Sequence, residues 1–270
     1  MSRGLVVAAL QLQTLGFNPS RLEFYFKNAH SRGAKIMVFG EYVLNHFFKE
    51  LATMPQSMVK EQSQKHLELL KSYASEYDMI IIAPLVVHKK DLFVKTIAKI
   101  SSSSVHYYEQ QILIPYEHWN EQSFFKNKVE ALRSPMVFTV DGYKIMVMSG
   151  YEMHFPPFWD YVRTKKIDLV ILPTSSTFGS HNRWREIIKT QAFLYETYVL
   201  RVNRLGEYSD KDVKWRFYGD SMLVRPDGEV EMMLEDKESM LVEEIDKKIL
   251  KTHKKEWRFE QALSIREEQQ

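Results

Sequence analysis

The chain has 270 residues, enough for one large α/β domain or two small ones, with 44% hydrophobic and 27% charged residues, as expected of a globular protein with a sizeable core. A formal net charge of +2 supplies no basic field for nucleic acid, and zero cysteines exclude disulfides, thiolate metal sites and a cysteine nucleophile. No apolar stretch reaches the roughly 20 residues that span a bilayer and no cleavable leader opens the chain, so the expectations are a cytoplasmic location and neither membrane nor nucleic-acid partners.

Leu5 to Leu12 is an apolar strand candidate, followed by a helix from about Ser20 to Ser31 that Gly33 stops. Lys35 to Phe39 is a short strand ending at Gly40-Glu41. Gln56 to Tyr77 carries Val59, Leu67, Leu70 and Tyr73-Ala74 at helical spacing. Met79 to Val87 is a buried strand, and Phe93–Ile100 pairs with Val105–Tyr108 across a serine turn. Ile167 to Leu172 and Tyr198 to Val202 are further strands, with an amphipathic helix between them from Trp184 to Glu196. Phe217–Val224 and Met240–Ile245 read as strands around the Pro226-Asp227-Gly228 turn. The tail from Lys247 is charged and helix-prone, with Trp257 and Phe259 as docking points. Strands alternating with helices indicate α/β layers, the later hairpins exclude a purely parallel sheet, and no linker divides the chain. One domain over residues 1–260 is expected, with residues 247–270 a charged tail within or appended to it.

The centre of the chain is Lys144 to Trp159. An apolar run, Ile145 to Met148, stops at Ser149-Gly150, and Glu152, His154 and the pair Pro156-Pro157 follow. This pattern predicts a buried strand that delivers a short elbow, then a helix starting at or just after the prolines. Rigid strand ends hold and expose reactive groups. Here the elbow carries glycine.

Three acids stand at comparable places: Glu41 after KIMVFG, Glu121 in ILIPYEHWNEQSFF, and Glu152 in SGYEMHFPPF. Taken in order, these stretches resemble the carbon–nitrogen hydrolase (nitrilase/amidase) family. Val38 to Tyr42 is similar to its "vvFPEy", Leu113 to Phe125 to its "LPnygvFDEkryF", and Gly150 to Pro156 to its "CYEirFPe". Leu172 to Ser175 resembles its "npS" strand end, Trp184 its tryptophan, and Asn203 to Gly206 its "aNrvG". Phe217 to Gly228 is similar to "f.G.S.ivdP.Gev".

The resemblance implies a four-layer α/β/β/α sandwich that forms a homodimer or a higher homo-oligomer. Phe155, Phe158, Trp159, Phe193 and Tyr195 either furnish that interface or fill the core. It also implies a chemistry in which a cysteine attacks an amide or nitrile carbon, a glutamate moves protons and a lysine stabilises the tetrahedral intermediate. Carried over, the glutamate is Glu41 and the supporting acid Glu121. The lysine position is Gln110 and the cysteine position Gly150. Glycine cannot form a thioester, and glutamine donates only a neutral hydrogen bond; deleting a nucleophile costs about 10⁶ in turnover in a well-studied protease. The arginine, glutamate and asparagine of the family's "RAiEN" helix are also replaced, in the run Gln191 to Tyr195.

The expectation is a family member that has lost catalysis and keeps its pocket, formed by Tyr116, Trp119, Tyr151, Glu152, Thr174 and Ser175, for a small carbonyl or amine ligand or for a protein partner. The alternative is an amide or nitrile hydrolase that uses Glu41 with water or with Ser149. Strand alternation predicts that the Ser149 hydroxyl aims away from the pocket. No cofactor is implied, and the nine histidines show no metal-ligand spacing.

Overall fold

The apolar runs become strands because each is buried on both faces, and the charged stretches between them become helices that cover the outer faces. In a computed structural model, which describes residues 4–17, 19–210 and 213–267, the first half runs β1 (Leu5–Gln11), α1 (Leu22–Ser31), β2 (Ile36–Phe39), α2 (Phe48–Leu51), α3 (Gln56–Glu76), β3 (Ile80–Lys89), β4 (Leu92–Ile100) and β5 (Val105–Glu109). The second half runs β6 (Met136–Val140), β7 (Tyr143–Val147), α4 (Pro156–Thr164), β8 (Leu169–Thr174), α5 (His181–Leu194) and β9 (Tyr198–Asn203). Short strands follow, β10 (Leu205–Asp210), β11 (Val213–Tyr218), β12 (Met222–Val224), β13 (Val230–Met233) and β14 (Ser239–Ile245), then α6 (Lys247–Trp257) and α7 (Phe259–Glu267).

Two six-stranded sheets result, ordered β14-β1-β2-β3-β4-β5 and β13-β12-β9-β8-β7-β6. Each has a parallel centre, β1-β2-β3 in one and β7-β8-β9 in the other, with antiparallel strands at its edges. Side-chain alternation sorts the central strands between two cores. Leu5, Val7 and Ala9 of β1 meet Ile145, Leu169 and Leu200 between the sheets, whereas Ala8 and Leu10 pack with Phe26, Leu70 and Ala74 under α1 and α3. Met146, Val170 and Val199 pack with Phe158, Trp159 and Ile188 of α4 and α5. The order of layers is α/β/β/α. The carboxyl ends of the parallel strands of both sheets converge on one edge, where open α/β sheets place ligands.

Phe217–Val224 is not one strand. Gly219 and Asp220 both have left-handed backbones, φ 74° and 68°, and Asp220 is tied to Arg185 and Arg201, which breaks the run into β11 and β12. The Pro226-Asp227-Gly228 turn joins β12 to β13, while β14 crosses to the first sheet and pairs with β1. The helix expected from Trp184 starts at His181 and ends at Leu194. Phe158 and Trp159 are fully buried within the chain. Phe193 packs against Trp257 and Phe259, docking the tail on α5.

Candidate functional site

Glu41 emerges two residues beyond β2, and its backbone N–H donates to the Thr174 carbonyl at 3.1 Å, locking the first sheet to the second. Gly40 permits this approach, since a Cβ there would lie 3.0 Å from the Arg204 nitrogen. Lys95, in the middle of β4, places its ammonium 3.1 Å from Glu41 Oε2 and 2.7 Å from Glu121 Oε1. The Tyr42 hydroxyl donates to Glu121 Oε1 at 2.6 Å, and the Ile114 N–H donates to Glu121 Oε2 at 3.2 Å. Two buried carboxylates therefore share one ammonium.

Burial is the largest influence on each group. It raises the Glu41 carboxyl above its ordinary value, against the opposing pull of Lys95. It draws the Lys95 ammonium down, but Glu121 and Glu41 outweigh it, and the lysine lies above its ordinary range. The Tyr42 phenol is pushed up by burial and by both carboxylates, so it stays a donor.

The elbow is remodelled around Gly150. Strand β7 ends at Val147, so alternation no longer governs Ser149, and its hydroxyl turns inward to donate to Glu41 Oε1 at 2.9 Å. The early strand end permits this bond, while Ser149 itself stays off the cavity wall. Gly150 has an ordinary helical backbone (φ −54°, ψ −42°), so its conformation does not demand glycine. Space does. A Cβ at 150 would lie 2.8 Å from Thr174 Cγ2, 2.9 Å from the Pro173 carbonyl oxygen and 3.2 Å from Thr174 Cα. The elbow is held there by Glu152, which accepts from the Ser149 N–H at 2.9 Å, the Gln111 N–H at 2.6 Å and the Tyr108 hydroxyl at 2.8 Å. Its carboxyl is pushed up to about 7 by burial, partly offset by these donors.

Between the two strand ends lies a cavity of about 190 Å³. Its deep end is formed by Glu41, Gly150, Thr174, Ser175 and Ser176, and its walls include Tyr116, Trp119, Tyr151, Phe178 and Trp184. His154 and Arg183, both exposed, stand at its mouth. Asn203 holds the Thr174–Ser176 segment, accepting from the Ser176 N–H at 2.8 Å and the Thr174 hydroxyl at 2.9 Å while donating to the Gly219 carbonyl at 2.6 Å. The hydroxyls of Ser175 and Ser176 are buried without a hydrogen-bond partner among the described residues. Lys95 and Ser149 are not on the cavity wall. Lys95 faces a separate, narrow crevice of about 10 Å³ beside Asn45 and Leu85.

The carbon–nitrogen hydrolase model matches residues 6–254. The chain belongs to that family. A hydrolase in the agr operon of Staphylococcus lugdunensis is 24% identical over 189 residues, covering 68% of this chain and 76% of its own. The fold is that of a carbon–nitrogen hydrolase from Helicobacter pylori G27, with TM-score 0.81, 18% identity and 94% of both chains covered. An amidase from Nesterenkonia sp. superposes with TM-score 0.75 at 17% identity, over 93% of this chain and 94% of that one.

Within this carbon–nitrogen hydrolase fold, Tyr116, Trp119, Tyr151, Thr174 and Ser175 line the cavity together with Glu41 and Gly150. Glu121 lies behind Glu41, joined to it through Lys95. Glu152 is not on the wall; its oxygens are spent on the elbow backbone and Tyr108, which corrects its expected place in the pocket. Gln110 is buried and donates its side-chain amide to the Ile112 carbonyl. Its backbone N–H donates to the Lys95 carbonyl at 3.1 Å, so the two residues are cross-strand neighbours. Gln110 carries no charge, and the ammonium between Glu41 and Glu121 belongs to Lys95 on the adjacent strand. Sequence reasoning missed Lys95, although one signal was present: a lysine inside the apolar run Phe93-Val94-Lys95-Thr96-Ile97-Ala98 has to be paired when the strand is buried.

Proposed function

We propose that this family member no longer hydrolyses carbon–nitrogen bonds and uses the cavity at the strand ends to bind a small polar ligand. One observation carries the reading: the position where the family places its cysteine has no room for a side chain, because a Cβ at 150 would press on the Pro173 carbonyl oxygen. The nucleophile is missing and so is the space for it. Glu41 is the sole member of the Glu41–Lys95–Glu121–Ser149 cluster that reaches the cavity wall, and a carboxylate alone is a weak agent against an amide. The test is incubation of the purified protein with amides, nitriles and N-carbamoyl compounds, read both for product and for equilibrium binding. Saturable binding without turnover is expected. Turnover that collapses in Glu41→Gln would refute the reading.

A second reading is favoured by the 2.9 Å hydrogen bond from Ser149 to Glu41 and by the Lys95 ammonium on the same carboxylate. In it Ser149 Oγ attacks the carbonyl carbon, Glu41 takes the hydroxyl proton and passes it to the departing amine, and water releases the acyl group. It requires the buried hydroxyl to reach the substrate past Gly150. Turnover abolished by Ser149→Ala would establish it.

A further inference from the structure

The cavity is polar at both ends and of opposite sign, which bears on what it binds. At the deep end the single lysine serves two glutamates, so the buried cluster is one positive charge short, and Glu41 carries that deficit to the wall. An uncompensated carboxylate in a poorly solvated site favours a cation beside it. The hydroxyls of Ser175 and Ser176 stand at the same end without partners. Ser176 is only 4% exposed. Buried hydroxyls in this state find their hydrogen bonds in a ligand or in water.

The walls suit a cation as well, because aromatic ring faces attract ammonium groups. At the mouth the sign reverses. Arg183 has no ion-pair or hydrogen-bond partner among the described residues, and its guanidinium is free to receive a carboxylate. A volume of about 190 Å³ equals roughly six waters, room for a ligand of about six to nine non-hydrogen atoms.

Resting on the non-hydrolytic reading above, we infer that the ligand is a small zwitterion, with an ammonium against Glu41 and the Ser175–Ser176 hydroxyls and a carboxylate at Arg183. The chemical class is an ω-amino acid or its close relatives. Neither a simple amine nor a simple acid satisfies both ends.

Isothermal titration of the full chain with ω-amino acids of two to six carbons, matched n-alkylamines, matched n-alkanoates and the matched primary amides tests this. The amino acids bind tightest, and removing either charge weakens binding by roughly tenfold. Arg183→Gln, an exposed substitution that does not threaten folding, lowers amino-acid affinity roughly three- to tenfold and alkylamine affinity less than twofold. Glu41→Gln, checked for folding by its melting transition, weakens amines and amino acids together. Alkanoates or amides binding as tightly as the amino acids, or an Arg183→Gln variant that treats all four classes alike, would overturn the zwitterion. Silent binding of amides alone overturns this inference and leaves the non-hydrolytic reading standing. Hydrolysis of the amides overturns that reading instead, and absence of saturable binding by any class overturns both.

Discussion

Restoring the family's cysteine will not restore the family's chemistry. In Gly150→Cys the new Cβ lies 2.9 Å from the Pro173 carbonyl oxygen, a backbone atom inside β8, and 2.8 Å from Thr174 Cγ2. Neither can yield easily. Pro173 is held by the β8–β9 ladder, and the Thr174 hydroxyl is bound to Asn203 Oδ1 and the Val202 carbonyl, which fixes its rotamer. Overpacking of this kind costs about 1–3 kcal/mol. For a chain of this size that is a fall in melting temperature of about 3–10 °C. Gly150→Ala carries the same Cβ without the thiol and is expected to lose the same stability. The assay is scanning fluorimetry of wild type, Gly150→Ala and Gly150→Cys, with the amide panel run on each. An alanine variant as stable as wild type, together with hydrolysis by the cysteine variant, would show that the space exists and that only the sulfur was lost.

Lys95→Met leaves Glu41 and Glu121 buried together without a cation, and a stability loss of about 3–5 kcal/mol, read from urea unfolding, is expected. Because burial raises the Glu41 carboxyl and the variant lacks the opposing pull of Lys95, the variant should be more stable at pH 5 than at pH 8, and a pH-independent loss below 1 kcal/mol (about the exposed-pair range) would contradict the cluster. Glu152 has a folded value of about 7 against 4.5 unfolded, so its contribution to stability is greatest in acid and is lost as pH rises from 4.5 to 7. Glu152→Gln should remove a slope on the order of 3 kcal/mol across that window, read as the difference between wild-type and variant urea curves at pH 4.5 and 8. Asn203→Ala unseats Thr174 and Ser176 and leaves buried partners unpaired, costing about 2–4 kcal/mol and weakening ligand binding more than the melting shift alone explains.

The layers were legible because burial on both faces writes itself into a strand as a continuous apolar run. MIIIAP and LVIL are such runs, and they lie in β3 and β8. Glu41 and Glu121 were legible because each follows an ordered motif. What escaped was geometry across strands. Lys95 and Gln110 are 15 positions apart in sequence and neighbours in the sheet, and no one-dimensional pattern pairs them. The bond from Ser149 to Glu41 was not legible, because the period-two rule does not extend two residues past the end of β7. The split at Gly219-Asp220 depends on left-handed backbone angles fixed by Arg185 and Arg201, contacts that a local reading of FYGDSMLV does not contain.

The buried Lys95 cluster constrains what the site is for. A buried cluster of two carboxylates and an ammonium pays heavy desolvation, and apolar residues of similar volume are commonly as stable or more so. A strand that needed only to fold would be served by methionine or leucine at 95. Instead the ammonium sits between Glu41 and Glu121, while position 110 carries a neutral amide and position 150 lies close against β8. On the non-hydrolytic reading proposed above, the arrangement keeps the part that sets the charge and orientation of Glu41 and lacks the part that attacks a carbonyl. Glu41 is held on one oxygen by Ser149 and on the other by Lys95, leaving it presented to the cavity as a fixed acceptor. A rigid acceptor in a dry site is what recognition of a donor-rich ligand demands, and it does not require that the ligand be broken.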